Sequence, residues 1–178
     1  MALPDYFVQS QGTPVIWRDS GGSGGTAVIP LNNLADGAAR MGAAVDLGEN
    51  WNREYLVTLV VETGTAPTAG NRVDLYFACS HDNSLWPAGV TGSDGAWPAD
   101  GNEDEWAAQL GWPVVSLLAT NDGNATQVQN PVIWRPSGRY VAPVTDNNLG
   151  VAFRNQGTPS ANASRIILVP LRDAVVDT

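Results

Sequence analysis

The stretch from Tyr55 to Cys79 limits most tightly what this chain can fold into. It reads YLVTLVVETG, then TAPTAG, then NRVDLYFAC. In the first run Tyr55, Val57, Leu59 and Val61 fall on one face, and Leu56, Thr58, Val60 and Glu62 on the other. In the second run Val73, Leu75, Phe77 and Cys79 point one way, and Asp74, Tyr76 and Ala78 the opposite way. Alternation with a period of two in β-branched and aromatic residues marks a half-buried strand. Between the runs lie Gly64, Pro67 and Gly70, residue types that break strands and build turns. The expectation is an antiparallel pair, joined by more than a two-residue turn, at the centre of a β-sandwich. Thr58, Val60 and Tyr76 imply that the second faces are covered too, at least in part.

The rest of the chain supplies similar short pieces. Its 178 residues suit one domain with a self-sufficient core. The 19 glycines and 12 prolines are spread along it, which favours many short strands over long helices. Strand-like runs occur at Tyr6 to Val8, Pro14 to Arg18, Thr26 to Leu31, Gly42 to Leu47, Pro113 to Ala119 and Ala125 to Gln129. Others follow at Pro131 to Arg135, Tyr140 to Val144, Gly150 to Phe153 and Arg165 to Leu171. The last, RIILVPL, is continuously apolar, as a strand buried on both faces would be. Asn102 and Glu105 have the spacing of a capping box and start a short helix reaching about Leu110.

The fold class is therefore all-β: an antiparallel, jelly-roll-like β-sandwich of eight to ten strands, with an N-terminal extended arm and at most one short helix. Residues 1–25 read as the arm and its Gly-rich hinge, 26–172 as the sandwich and 173–178 as a frayed tail. The hinge is Gly21-Gly22-Ser23-Gly24-Gly25, a flexible connector that lets the arm reach a neighbouring subunit. The competing reading is a first strand that folds back onto its own sheet. One phrase recurs: Pro14-Val15-Ile16-Trp17-Arg18 and Pro131-Val132-Ile133-Trp134-Arg135. The two copies are either equivalent edge strands of two sheets or chance reuse of one strand-and-turn phrase.

Charge narrows the function. The formal net charge is −9, and all nine basic residues are arginine. Nucleic acid and anionic membrane are disfavoured partners, because both need a basic face. No arginine lies between Arg72 and Arg135, a span that holds eight carboxylates, so the middle of the chain carries an acidic surface. The start, MALPDYFVQSQG, lacks the basic and apolar regions of a signal peptide. No apolar run approaches the ~20 residues of a membrane span. Synthesis in a cytoplasm is expected.

No catalytic, cofactor or metal set emerges. The one histidine, His81, sits in Ser80-His81-Asp82-Asn83-Ser84, a run of neighbours and not a triad assembled by a fold. One histidine and one cysteine exclude a zinc site of the usual kind. Cys79 reads as an inert core thiol. Asp100, Glu103, Asp104 and Glu105 match no calcium-binding loop pattern. Glu62 is a lone strand carboxylate without a partner for glycosidase chemistry.

Tryptophan carries the remaining signal. Seven occur, and Trp86 and Trp97 lie in the long irregular stretch Ser80 to Asn102. Loops of this length are uncommon without a task. The interface candidates are Trp86 and Trp97, with the pairs Trp17-Arg18 and Trp134-Arg135, since Trp and Arg dominate interface hot spots. Core tryptophan beside surface arginine is the competing reading for the pairs.

The phrase Pro67-Thr68-Ala69-Gly70-Asn71-Arg72-Val73-Asp74-Leu75-Tyr76, followed by Gly89-Val90-Thr91-Gly92-Ser93-Asp94, resembles small all-β proteins encoded among the head genes of tailed bacteriophages. Some of these are capsid decoration, or cement, proteins. The resemblance covers a third to a half of the chain and supplies no site residues. It implies a homotrimer on the outer surface of a virion capsid, made in the host bacterial cytoplasm. Its partners would be itself and the major capsid protein. The arm and the Ser80 to Asn102 loop would make the contacts. The alternative is a carbohydrate-binding module or receptor-binding virion tip, with Trp86 and Trp97 as stacking platforms.

Overall fold

A computed structural model describes residues 6–20, 24–49, 51–97, 108–120, 126–158 and 163–176. Of 6–10 and 173–176 it describes the backbone alone. Among the described residues thirteen strands build two sheets, three more strands than the upper expectation. The extra ones are fragments of two to four residues that turn residues interrupt. They are β1 (Tyr6–Gln11), β2 (Val15–Arg18), β3 (Ala27–Val28), β4 (Ala38–Met41), β5 (Val45–Asp46), β6 (Glu54–Glu62) and β7 (Arg72–Ser80). Then follow β8 (Gly95–Trp97), β9 (Val115–Leu118), β10 (Thr126–Val128), β11 (Val132–Trp134), β12 (Tyr140–Asn148) and β13 (Arg165–Val176). Residues 108–110 are helical; the rest of the expected helix lies outside the described residues.

The first sheet has the order β10-β6-β13-β2-β3, with β11 also on β6 and β1 also on β13. The second has the order β8-β4-β12-β7-β9, with β5 also on β12. All pairs are antiparallel except β2 with β3. The chain is a β-sandwich.

The expected central hairpin is a correction. β6 and β7 do not pair; they belong to opposite sheets. β6 pairs with β13, and β7 with β12 along its whole length, Arg72 to Ser80. The link from Thr63 to Asn71 bridges the sandwich and does not fold one strand onto the other. Both strands thereby turn their apolar faces into one core. Tyr55, Val57, Leu59 and Val61 meet Val73, Leu75 and Phe77 there, with Trp17, Ile29, Leu31, Val141, Ile166 and Leu168. Alternation identified the strands and their inward faces. It carries no information on which strand lies beside which.

The arm is a second correction. Val15 to Leu168, Ile16 to Ile167, Trp17 to Ile166 and Arg18 to Arg165 are register pairs within the first sheet. Segment 1–25 thus includes strands of the sandwich. A first strand folded back on its own sheet is what the molecule uses. Beyond the Gly-rich segment, Ala27 lies beside Trp17 and Val28 beside Arg18 in parallel. Thr26 fastens this pair: its hydroxyl accepts from the Ile16 amide at 2.7 Å, and its amide donates to the Ile16 carbonyl at 2.8 Å. The tail is corrected too. β13 runs to Val176 and pairs with β1, Tyr6 opposite Val176 through Gln11 opposite Leu171. Gly150 to Phe153 forms no strand; Phe153 makes one isolated bridge to Thr63.

The repeated phrase proves to be one structural unit used twice in the same sheet, not in two. β2 flanks β13 and β11 flanks β6. Both copies turn tryptophan inward, where the two indoles take Phe77 between them at ring-centroid distances of 5.9 and 4.4 Å. Both copies turn isoleucine outward.

Candidate functional site

The outer faces of the two sheets differ. On the second sheet the outward residues Ala39, Met41, Tyr76, Ala78, Ala142 and Val144 form a second apolar cluster with Ala88, Val90 and Trp97, and Trp86 and Leu110 pack against it. The irregular stretch after Ser80 is therefore a lid on this sheet, built from the chain itself. Its first turn is locked by short polar side chains. The Ser80 hydroxyl accepts from the Asn83 amide at 3.1 Å, and Asp82 accepts from the amides of Ser84 and Leu85 at 2.9 and 3.1 Å. The Ser84 and Leu85 donors hold the Asp82 carboxyl well below the usual carboxylate range. His81 is exposed beside this turn.

Both tryptophans of the irregular stretch belong to this lid. Trp97 is 3% exposed, and its indole N–H donates to the Ala88 carbonyl at 2.7 Å. Trp86 is half-buried against the same cluster and against Gly92, whose φ of +75° no larger residue adopts easily. Trp97 is thus closed off from solvent, while Trp86 keeps part of its surface exposed. Trp17 is fully buried and donates its indole N–H to the Ala43 carbonyl at 2.7 Å. Trp134 is half-buried and stacked on Phe77. Arg18 is half-buried. Of the six interface candidates only Arg135 is well exposed, and it pairs with Glu54 at 2.6 Å. Sequence spacing separated apolar from polar positions but not a lid from a partner-binding loop, because both are rich in Trp, Gly and Pro.

Five of the eight carboxylates expected to make an acidic surface lie outside the described residues, and Asp74, on the second sheet, is 2% exposed. Asp74 and Asp146 face each other in register on β7 and β12. Asp74 accepts from Arg72 Nε at 2.7 Å and from the Ser116 hydroxyl. Burial, and then the two carboxylates, push the Tyr76 phenol above its ordinary pKa.

The first sheet is different. Register fixes its outward residues in rows. One central row is Ile16–Ile167–Thr58, and the next is Val169–Leu56–Ile133. A third row is Arg18–Arg165–Val60–Val128. Ile16, Leu56, Thr58, Ile167 and Val169 are half-buried, while Val128 and Ile133 are 61% and 60% exposed. None of the aliphatics Ile16, Leu56, Ile133, Ile167 and Val169 joins either core cluster. Among the described residues no element lies over them; the extensive contacts of β13 are with its sheet neighbours β1, β2 and β6. The expected burial of β13 on both faces is met on the inner face alone. The signal in the sequence was RIILVPL itself, together with the repeated isoleucine. Neither says whether an apolar outer face is covered by the chain or left open.

A separate open groove of about 660 Å³ lies at the start of β6, lined by Trp51, Asn52, Arg53, Glu54, Arg135, Pro136 and Leu171. Cys79 is half-buried at the margin of the main core. Among the described residues no group of three His, Cys, Asp or Glu side chains is placed to hold a metal ion. No protein-family model matches the chain, and no curated protein matches it.

Proposed function

We propose that this protein is a structural component of a bacteriophage virion. It binds the outside of the capsid and stabilises the shell by bridging neighbouring capsid subunits. One observation supports a role in association: among the described residues, a self-sufficient sandwich covers one outer sheet face with its own lid and leaves the other uncovered and aliphatic. Contiguous apolar surface beyond a few hundred Å² marks an interaction site on a soluble protein. Repetition over a shell turns contacts of modest strength into firm attachment. The experiment is co-sedimentation of the purified chain with bare capsids of the phage that encodes it. Saturable binding at a fixed ratio to the capsid subunit is the expected result, and absence of folded protein from the capsid pellet would sink the proposal.

A second reading, a carbohydrate-binding or receptor-binding module, is supported by the groove at Trp51. An indole beside Asn52, Arg53 and Glu54 offers a stacking surface and hydrogen-bonding groups of both kinds. On this reading glycans quench tryptophan fluorescence in the wild type and fail to do so in Trp51→Ala. No response across a broad glycan panel would remove it.

A further inference from the structure

We infer that the bare face of the first sheet seats the same face of a second copy of this chain, so that the protein pairs about a two-fold axis. This rests on the reading of the protein as one that works by association, and it names the partner of that face. Three observations carry it.

The first is shape. A twisted sheet face packs best on another sheet face of like twist, aligned and about 10 Å away. A second copy supplies such a face. The second is chemistry. The two central rows contain no charged side chain, only Ile16, Ile167, Thr58, Val169, Leu56 and Ile133. In a chain of net charge −9, two copies repel over most orientations. An uncharged face is where that repulsion is least and apolar burial greatest. The rows are also related to each other by an approximate two-fold axis normal to the sheet. It exchanges Ile16 with Ile133 and Ile167 with Leu56, because the repeated Pro-Val-Ile-Trp-Arg phrase flanks the antiparallel β13–β6 pair on both sides. A surface with this internal symmetry meets itself with aliphatic rows on aliphatic rows. The third is area. The paired residues of β13, β6, β2 and β11 cover roughly 340 Å² at ~4.8 Å between strands and ~3.4 Å per residue. β1 and β10 extend the same sheet at its two ends, toward the ~800 Å² per partner of a standard interface.

The test is the solution mass by light scattering after size exclusion, on the whole chain and three variants, Ile133→Asp, Leu56→Asp and Leu118→Asp. Wild type is expected at twice 18.8 kDa. Ile133→Asp places a carboxylate in the pairing face at a site 60% exposed in the single chain. It should raise the dissociation constant by on the order of 100-fold while leaving the melting temperature of the diluted protein nearly unchanged. Leu118→Asp, at an exposed site on the edge of the second sheet, should leave the mass doubled. A wild-type monomer, a trimer, or a pair insensitive to both Ile133→Asp and Leu56→Asp would overturn the inference. The failures are separable. A monomer or trimer that still binds capsids overturns the pairing and keeps the virion reading. A pair that ignores capsids keeps the pairing and overturns the virion reading.

Discussion

Replacing Trp17 with alanine is expected to lower stability by about 5 kcal/mol, the upper end for deleting a buried aromatic ring. The indole has no exposed surface and touches Phe77, so nothing from solvent fills the space left behind. Its N–H also satisfies the Ala43 carbonyl, and loss of that donor leaves a main-chain acceptor in need of a new partner. In a domain of this size each kcal/mol shifts the melting temperature by roughly 2–4 °C, so a fall of about 10–20 °C is expected. Trp112→Ala is the control. That ring is 92% exposed, and the change should stay within about 0.5 kcal/mol. Thermal and urea melts of the two variants check both numbers. Equal, small effects would mean that the repeated tryptophan is not the centre of the core.

The second large effect is at Glu62. Its carboxylate is buried at the end of β6 and ties three segments together. Arg154 Nη1 donates to it at 2.6 Å, Gln156 Nε2 at 2.8 Å and the Ala163 amide at 3.1 Å. The Glu62 amide in turn donates to the Ser164 hydroxyl at 2.9 Å. Burial alone would raise the carboxyl pKa. The Ala163 amide, the Arg154 guanidinium and the Gln156 amide together outweigh it, and the folded-state pKa lies below the ordinary value. A group depressed on folding contributes stability above its unfolded pKa, about 4.3, and loses it as pH falls through the folded value. Glu62→Ala should therefore cost about 3 kcal/mol at pH 7, since it strands partly buried donors, one of them a charged group. It should cost less at pH 3, where the part of that stability carried by ionisation is being lost. Urea melts at the two pH values measure this. A penalty independent of pH would show that the side chain acts by packing and not by charge.

The contrast between these residues shows what the sequence made legible. Alternation located the long strands and separated inward Val57 and Leu75 from outward Thr58 and Asp74, because a side-chain period of two is a local property of extended backbone. Pairing is not local. The partners of β6 and β7 are β13 and β12, on the order of 100 and 70 residues away, and no local pattern encodes such a choice. The same gap hid the Glu62 network, whose partners lie some 90 to 100 positions downstream. It also hides which apolar residues face outward. Trp86 and Trp97 stood out by type and loop context, yet they close a lid. Ile16 and Ile133 look like ordinary core residues until register places them on an outer face. The repeated phrase was visible as a string. Its meaning, two matching strands flanking one central pair, appears only when the sheet is assembled.

Heating bare heads of the phage with and without this protein puts the proposed role to its plainest test, with loss of shell integrity recorded against temperature. The expected result is a rise in that temperature that saturates at a fixed ratio of protein to capsid subunit. An unchanged temperature at saturating concentrations of folded protein would contradict a cement role.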